Sequence, residues 1–123
     1  MLEESNWNKL SDEERRIIVL KGTEMPFSGK LITDGREGYF VCRQCENKLF
    51  TTSHKFDSGC GWPSFDDELP NSIRYNIDAD GRRVEIVCSN CDGHLGHVFE
   101  GERFTEKNKR HCVNSLSIKF VPL

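Results

Sequence analysis

Tyr39-Phe40-Val41-Cys42-Arg43-Gln44-Cys45 and Val84-Glu85-Ile86-Val87-Cys88-Ser89-Asn90-Cys91 decide how this chain folds. In each, an apolar run of strand character ends in a C-x-x-C pair, and 42 residues separate the two pairs. Two such turns brought together set four thiolates at tetrahedral corners, the donor set of one structural zinc ion. Four Cys ligands, Cys42, Cys45, Cys88 and Cys91, leave no open coordination position, so such a zinc is structural rather than catalytic. Three other arrangements compete. Disulfides suit a secreted chain better. A thioredoxin-like redox pair expects a helix opening at the motif, whereas Lys48-Leu49-Phe50 after Cys45 reads as strand. A mixed site of Cys88, Cys91, His94 and His97 leaves Cys42 and Cys45 without a role.

Outward from these pairs, the texture is that of a mainly β domain with a short N-terminal helix. Ser11-Asp12-Glu13-Glu14 has capping-box form, and the helix is expected over 11–21 with Gly22 ending it. Met25 to Gly29 reads as an irregular connection. Strand-like runs follow at 37–41, 48–52, 72–77, 82–87, 95–99 and 112–120, with a hairpin turn at Asp78-Ala79-Asp80-Gly81 and a charged loop over 100–109.

The 123 residues suit a single domain, 1–123. The net charge of −3, with no clustered basic face, argues against nucleic acid as a partner. The longest apolar run, Ile17 to Leu20, is far short of a membrane span, and the N-terminus lacks an apolar signal core. A cytoplasmic protein with reduced or metal-bound cysteines is the expectation.

Setting aside the four paired cysteines leaves Cys60 and Cys112. Free cysteines are often just small buried hydrophobes. If 110–120 is one strand, however, Arg110, Cys112 and Asn114 share an inward face with Leu116, Ile118 and Phe120. A guanidinium beside Cys112 favours the nucleophilic thiolate. Cys60 lies in Asp57-Ser58-Gly59-Cys60-Gly61-Trp62-Pro63-Ser64-Phe65. Its flanking glycines allow a mobile or tightly turned backbone, and Trp62 offers an aromatic platform for an apolar group, or simply core. His94 and His97 are candidate proton donors. On a plain strand they face opposite ways, but a bend at Gly96 would let them converge.

With these segments in order, the chain resembles the type B methionine sulfoxide reductases, which act on the R epimer. The resemblance rests on Gly22-Thr23-Glu24-Met25-Pro26-Phe27-Ser28-Gly29, both Cys pairs, Lys55 to Phe65, His94-Leu95-Gly96-His97-Val98-Phe99 and Arg110-His111-Cys112-Val113-Asn114-Ser115. It covers a core of about 10–122 and implies two antiparallel β-sheets, a β-tent, with one zinc ion away from the active site. It implies Cys112 as nucleophile, Cys60 as resolving cysteine and Trp62 against the substrate methyl group. His94, His97, Arg110 and Asn114 would bind the sulfoxide or support the nucleophile. It further implies a monomer that repairs methionine-R-sulfoxide in oxidised proteins, through a Cys60–Cys112 disulfide recycled by thioredoxin. Two positions depart from the family. His111 replaces the usual aromatic residue, and Glu100-Gly101-Glu102-Arg103 stands where relatives have an acidic residue before Gly-Pro, which leaves that residue's part open to Glu100 or Glu102. Outside the enzyme class, a zinc-ribbon-like binding module or chaperone would tolerate loss of Cys60 and Cys112. A zinc deaminase is disfavoured, because its H-x-E plus P-C-x-x-C pattern is missing from the sequence.

Overall fold

The computed structural model describes residues 1–26, 36–77, 81 and 83–123. Helix α1 spans Asp12–Ile18 and opens on the expected capping box: Ser11 Oγ accepts from Glu14 N–H at 3.2 Å, and Glu14 Oε1 accepts from Ser11 N–H at 2.8 Å. It ends three residues before the expected boundary. Ile17 and Ile18 are buried, but Val19 and Leu20 are 42% and 68% exposed, so no packing supports a further turn. The left-handed residue after the helix is Lys21 (φ 60), not Gly22. Among the described residues no helix is long and apolar enough to cross a membrane.

Among the described residues, nine strands form two antiparallel sheets. The smaller contains β1 (Gly38–Cys42), β2 (Lys48–Thr51) and β9 (Ile118–Pro122), in the order β2-β1-β9. The larger holds β3 (Lys55–Phe56), β4 (Ser64–Phe65), β5 (Ile73–Ile77), β6 (Val84–Cys88), β7 (His94–Glu100) and β8 (Lys109–Val113), in the order β3-β4-β8-β7-β6-β5. The expected β5–β6 hairpin is present, with Ile77 opposite Val84. Its turn at 78–81 lies, apart from Gly81, outside the described residues, as do Phe27, Ser28 and Gly29. The two-residue strands β3 and β4 were not expected from the sequence. They tie down both ends of the Cys60 loop. Phe50 stacks on Phe65 with ring centroids 4.1 Å apart, and Phe40 meets Phe65 edge-on at 4.9 Å, joining the sheets through one core.

The expected single strand over 112–120 is overturned. β8 stops at Val113, Ser115–Ser117 form a 3₁₀ turn, and the chain crosses to the other sheet as β9. The two serines explain the break. Ser115 Oγ donates to the Glu24 carboxylate, and Ser117 Oγ donates to the carbonyl of His94 at 2.9 Å. Such side-chain bonds compete with the sheet ladder. The consequence is a change of face. His111 and Val113 are fully buried in the core, so Arg110 and Cys112 point to the opposite side of β8, away from the core rather than inward as expected.

Candidate active site and metal centre

The two C-x-x-C turns are built alike. Each strand runs directly into its first cysteine; Glu46 N–H then returns to the Cys42 carbonyl at 2.8 Å and Asp92 N–H to the Cys88 carbonyl at 2.9 Å. Glu46 and Asp92 carry matching left-handed φ values of 63 and 62. The repeated geometry aims four sulfurs at one point. Cys42 Sγ lies 3.5 Å from Cys91 Sγ, Cys45 Sγ lies 3.5 Å from Cys88 Sγ, and all four fall within 4.8 Å of one another. A tetrahedron with metal–sulfur bonds of about 2.3 Å has edges of about 3.8 Å, so the cluster fits a zinc-sized ion. Gly93 N–H donates to Cys91 Sγ at 3.4 Å and Asn47 Nδ2 to Cys88 Sγ at 3.6 Å, the bonds that thiolates attract. Four thiolates this close repel one another, so they coexist here only around a cation. Among the described residues these four cysteines are the only metal-ligand cluster, and His94 is engaged elsewhere, which removes the mixed Cys–His site.

The remaining two thiols meet on the outer face of the large sheet. Cys112 is opposite Ser64 of β4 on one side and His97 of β7 on the other. Cys60 sits in the loop between β3 and β4, where Gly59 (φ 74) and Gly61 (φ 92) take conformations that side-chain-bearing residues resist. The loop is organised: Gly59 N–H donates to Asp57 Oδ1 at 2.9 Å and Ser58 Oγ meets Ser64 Oγ at 2.8 Å. This turn sets Cys60 Sγ 4.0 Å from Cys112 Sγ.

Both sulfurs open into a cavity of about 170 Å³. That is below the usual range for small-molecule pockets and suits a single side chain. Trp62, Phe99, His97, Arg110 and Asn114 share its wall with Thr23, Arg83 and Gly96. A larger groove of about 650 Å³ runs past Tyr39, Thr52 and Phe56, but the described residues that line it include no thiol or imidazole. Trp62 Nε1 donates to the carbonyl of Glu24 at 3.0 Å, which fixes the indole as one side of the smaller cavity.

Asn114 lines the cavity with both ends of its amide in use. Oδ1 accepts from Glu24 N–H at 3.0 Å and Nδ2 donates to the Leu95 carbonyl at 3.2 Å. Arg110 stacks over Phe99, 4.5 Å from its centroid, and donates Nε and a terminal nitrogen to the two oxygens of Glu102 at 2.8 and 3.2 Å. Of the two acidic residues in the departing 100–103 segment, Glu102 is the one that pairs with Arg110.

The two histidines converge. A bulge pairs Ile86 with Gly96 but Val87 with His94, leaving Leu95 as the extra residue. The phase shift brings the rings of His94 and His97 to 5.6 Å at 71°. His97 is at the cavity wall, whereas His94 is buried beside it with Nδ1 2.6 Å from Glu85 Oε2.

Electrostatics reverses one expectation. Burial, then the neighbouring Cys60, pushes the Cys112 thiol up to about 12, and Arg110 offsets only part of this. Burial opposes ionisation of Cys60 too, but the Ser58 and Ser64 hydroxyls prevail and Cys60 falls to about 7. Of the two thiols, Cys60 is therefore the one that ionises more readily. Sequence reasoning passed over Glu24 and Glu85, whereas Glu102 stood with Glu100 as a candidate for the family's acidic residue. Of the two passed over, only Glu24 carried a signal, its place in the Gly22-Thr23-Glu24 segment.

Comparison with known proteins gives a consistent answer. The SelR domain family matches residues 10–122. Peptide methionine sulfoxide reductase B5 of Oryza sativa subsp. japonica is 54% identical over 92% of this chain and 84% of its own length. Its Arabidopsis thaliana namesake, B5, is 50% identical over 97% of this chain and 87% of its own. The chain spans 60% of the length of the Arabidopsis protein named reductase B2, chloroplastic, at 50% identity. Among solved structures, the Mis18 "Yippee-like" domain aligns with a TM-score of 0.54 at 16% identity, covering 72% of this chain and 98% of that one, a likeness of fold alone. Matched along nearly its whole length by the family model and by relatives of this identity, the chain belongs to the SelR domain family, that of the B-type peptide methionine sulfoxide reductases.

Proposed function

We propose that this protein reduces the R epimer of methionine sulfoxide in oxidised proteins, with Cys112 as nucleophile and Cys60 as resolving thiol. The observation that carries this reading is the 4.0 Å approach of two thiols in a cavity walled by Trp62 and opposed by His97. Trp62 and Phe99 suit the methyl group and sulfur of the substrate, since thioether-like sulfur against an aromatic ring contributes about 0.3–1.5 kcal/mol. With the methyl group held there and the oxygen turned toward the imidazole and Arg110, only one epimer presents its sulfur to Cys112.

Cys112 sulfur attacks the substrate sulfur, and oxygen passes to Cys112 as the S–O bond of the substrate breaks. The thiol proton, moved through His97, ends on that oxygen. Methionine leaves with its sulfur reduced by two electrons, and Cys112 is left as sulfenic acid, oxidised by two. The high thiol pKa of Cys112 in the empty site means that bound substrate must draw this proton away. Cys60, already near half thiolate at neutral pH, then attacks the Cys112 sulfur; an S–S bond forms and hydroxide departs as water. A dithiol reductant of the thioredoxin type returns both thiols. The shift needed is about 2 Å, from 4.0 Å to a bond near 2.05 Å.

Cys42, Cys45, Cys88 and Cys91 would hold one structural zinc, which joins the small sheet to the large one and takes no part in the redox steps. The described residues of the cavity wall all come from one chain, in keeping with a monomer. A reducing compartment such as the cytoplasm maintains the ligand thiolates and supplies the reductant; some relatives are named as chloroplastic.

Incubation with the separated R and S epimers and a dithiol reductant tests the reading. Consumption of the R epimer alone, abolished by Cys112→Ser, is expected. If neither epimer is reduced, a non-catalytic zinc-ribbon-like module fits the chain better.

A further inference from the structure

Glu85 is a carboxylate buried in the large sheet, 4% exposed, and neither the C-x-x-C turns nor the cavity wall accounts for it. Burying an ion this deeply is costly unless it is paired and hydrogen-bonded. Glu85 is both: Oε2 lies 2.6 Å from His94 Nδ1, and Oε1 accepts from Lys21 Nζ at 3.3 Å. Although burial raises its pKa, hydrogen bonds from His94 and Lys21 outweigh that and hold it below the usual carboxylate range. An ionised carboxylate only accepts, so His94 must carry its proton on Nδ1. Nε2 is then the one ring atom whose proton can come and go. That atom is buried and has no hydrogen-bond partner among the described residues. Here the bulge at Leu95 matters again. In register, Glu85 is opposite His97, and the extra residue swings His94 back onto the same carboxylate.

We propose that Glu85 is a positioning residue for the reduction step: it holds His94 as the Nδ1–H tautomer, with Nε2 as a proton store beside His97. This rests on the functional reading above and deepens it. His97 touches the cavity, and His94 backs it, its ring orientation and tautomer set by the Glu85 carboxylate. The other charged or titratable groups facing the pair are Lys21 from the segment after α1, His97 on β7 and, around the cavity, Arg83, Arg110, Cys60 and Cys112. Lys21 balances the carboxylate without competing for Oε2. The left-handed turn at the end of α1 brings it there.

Long-range ¹H–¹⁵N spectra of the metal-loaded full chain, with His94 assigned through His94→Gln, read the tautomer directly. The expected result is a proton on Nδ1 of His94, held there by the Glu85 carboxylate. In single-turnover methionine release from the R epimer, Glu85→Gln should be slower by about tenfold or more near pH 8. Its rate should begin to fall at lower pH than in the wild type, and Glu85→Asp should recover part of the loss. A wild-type pH–rate profile in folded Glu85→Gln would overturn the proposal. So would a wild-type His94 protonated on Nε2 with a bare Nδ1, a result that needs no variant to fold. If the wild type reduces neither epimer, the functional reading fails instead, and the tautomer still reports on the Glu85–His94 pair.

Discussion

Replacing Gly96 by alanine would drive a methyl group into the strand that carries Cys112. A Cβ at Gly96 would lie 1.9 Å from the Cys112 carbonyl oxygen, 3.0 Å from its carbonyl carbon and 3.1 Å from Val113 Cα. Carbon–oxygen contacts between adjacent strands normally lie at about 3.3–3.6 Å, so β8 must move away by roughly 1.4 Å. All three obstructing atoms are backbone, and no side-chain rotation relieves them. Adjacent strands are about 4.8 Å apart, so this displacement breaks the local β7–β8 ladder. Overpacking of about 1–3 kcal/mol, plus about 1 kcal/mol for each ladder bond lost, gives a destabilisation of about 3 kcal/mol. For a domain of this size that corresponds to a Tm lower by about 10–15 °C. The nucleophile moves with its strand, and a 1 Å misplacement at a reacting centre costs about 10²-fold in rate. Gly59→Ala is the internal comparison. Gly59 has open space where a Cβ would go, and only its φ of 74 is at stake, for about 1–2 kcal/mol. Calorimetric melting with metal content measured, alongside single-turnover methionine release, checks both variants. Gly96→Ala melting within about 2 °C of the wild type and reacting at the wild-type rate would refute the β7–β8 geometry on which the site depends.

Three other perturbations have distinct readouts. Chelation of the metal, or Cys45→Ser, should unfold the domain, because structural zinc contributes about 10–16 kcal/mol against a total of about 5–15; unchanged thermal stability after verified metal removal would rule this out. Cys60→Ser should release about one methionine per chain and then stall with thioredoxin as reductant; sustained turnover would show that another thiol resolves the sulfenic acid. Burial lowers the pKa of His111 below 6.5, although its bond to the Phe65 carbonyl and the charge of Glu68 push the other way. The unfolded chain therefore binds the extra proton first, and His111 costs stability as pH falls below about 6.5. Urea midpoints at about pH 5.5 and 7.5 should differ less in His111→Phe than in the wild type. An equal or larger difference contradicts the buried neutral imidazole.

What was legible in the sequence is what short spacing encodes. The C-x-x-C turns, the capping box at Ser11 and the β5–β6 strands are specified by residues within a few positions of each other. The end of α1 was misplaced because it depends on what Val19 and Leu20 fail to pack against. The break between β8 and β9 was missed for a similar reason. Ser115 is 91 residues from the Glu24 carboxylate that captures its hydroxyl, and no local pattern reports such a partner. That one break reverses the face on which Cys112 lies. The bulge at Leu95 has the same character, since extra residues are defined by the partner strand. The sequence did bring Cys60, Trp62, His97, Arg110, Cys112 and Asn114 together as candidates, and the structure sets them around one cavity. It could not show that Asn114 spends both ends of its amide on the backbone, that Glu102 holds Arg110, or that burial makes Cys112 harder to ionise than Cys60.

The most direct measurement treats the fully reduced protein, without any reductant, with one equivalent of either epimer, then counts thiols and maps the peptides by mass spectrometry. The expected result with the R epimer is one methionine, loss of two thiols and a single Cys60–Cys112 peptide, with no change for the S epimer. Methionine release with Cys112 unmodified, or a disulfide drawn from Cys42, Cys45, Cys88 or Cys91 instead, would contradict the pairing of Cys60 with Cys112.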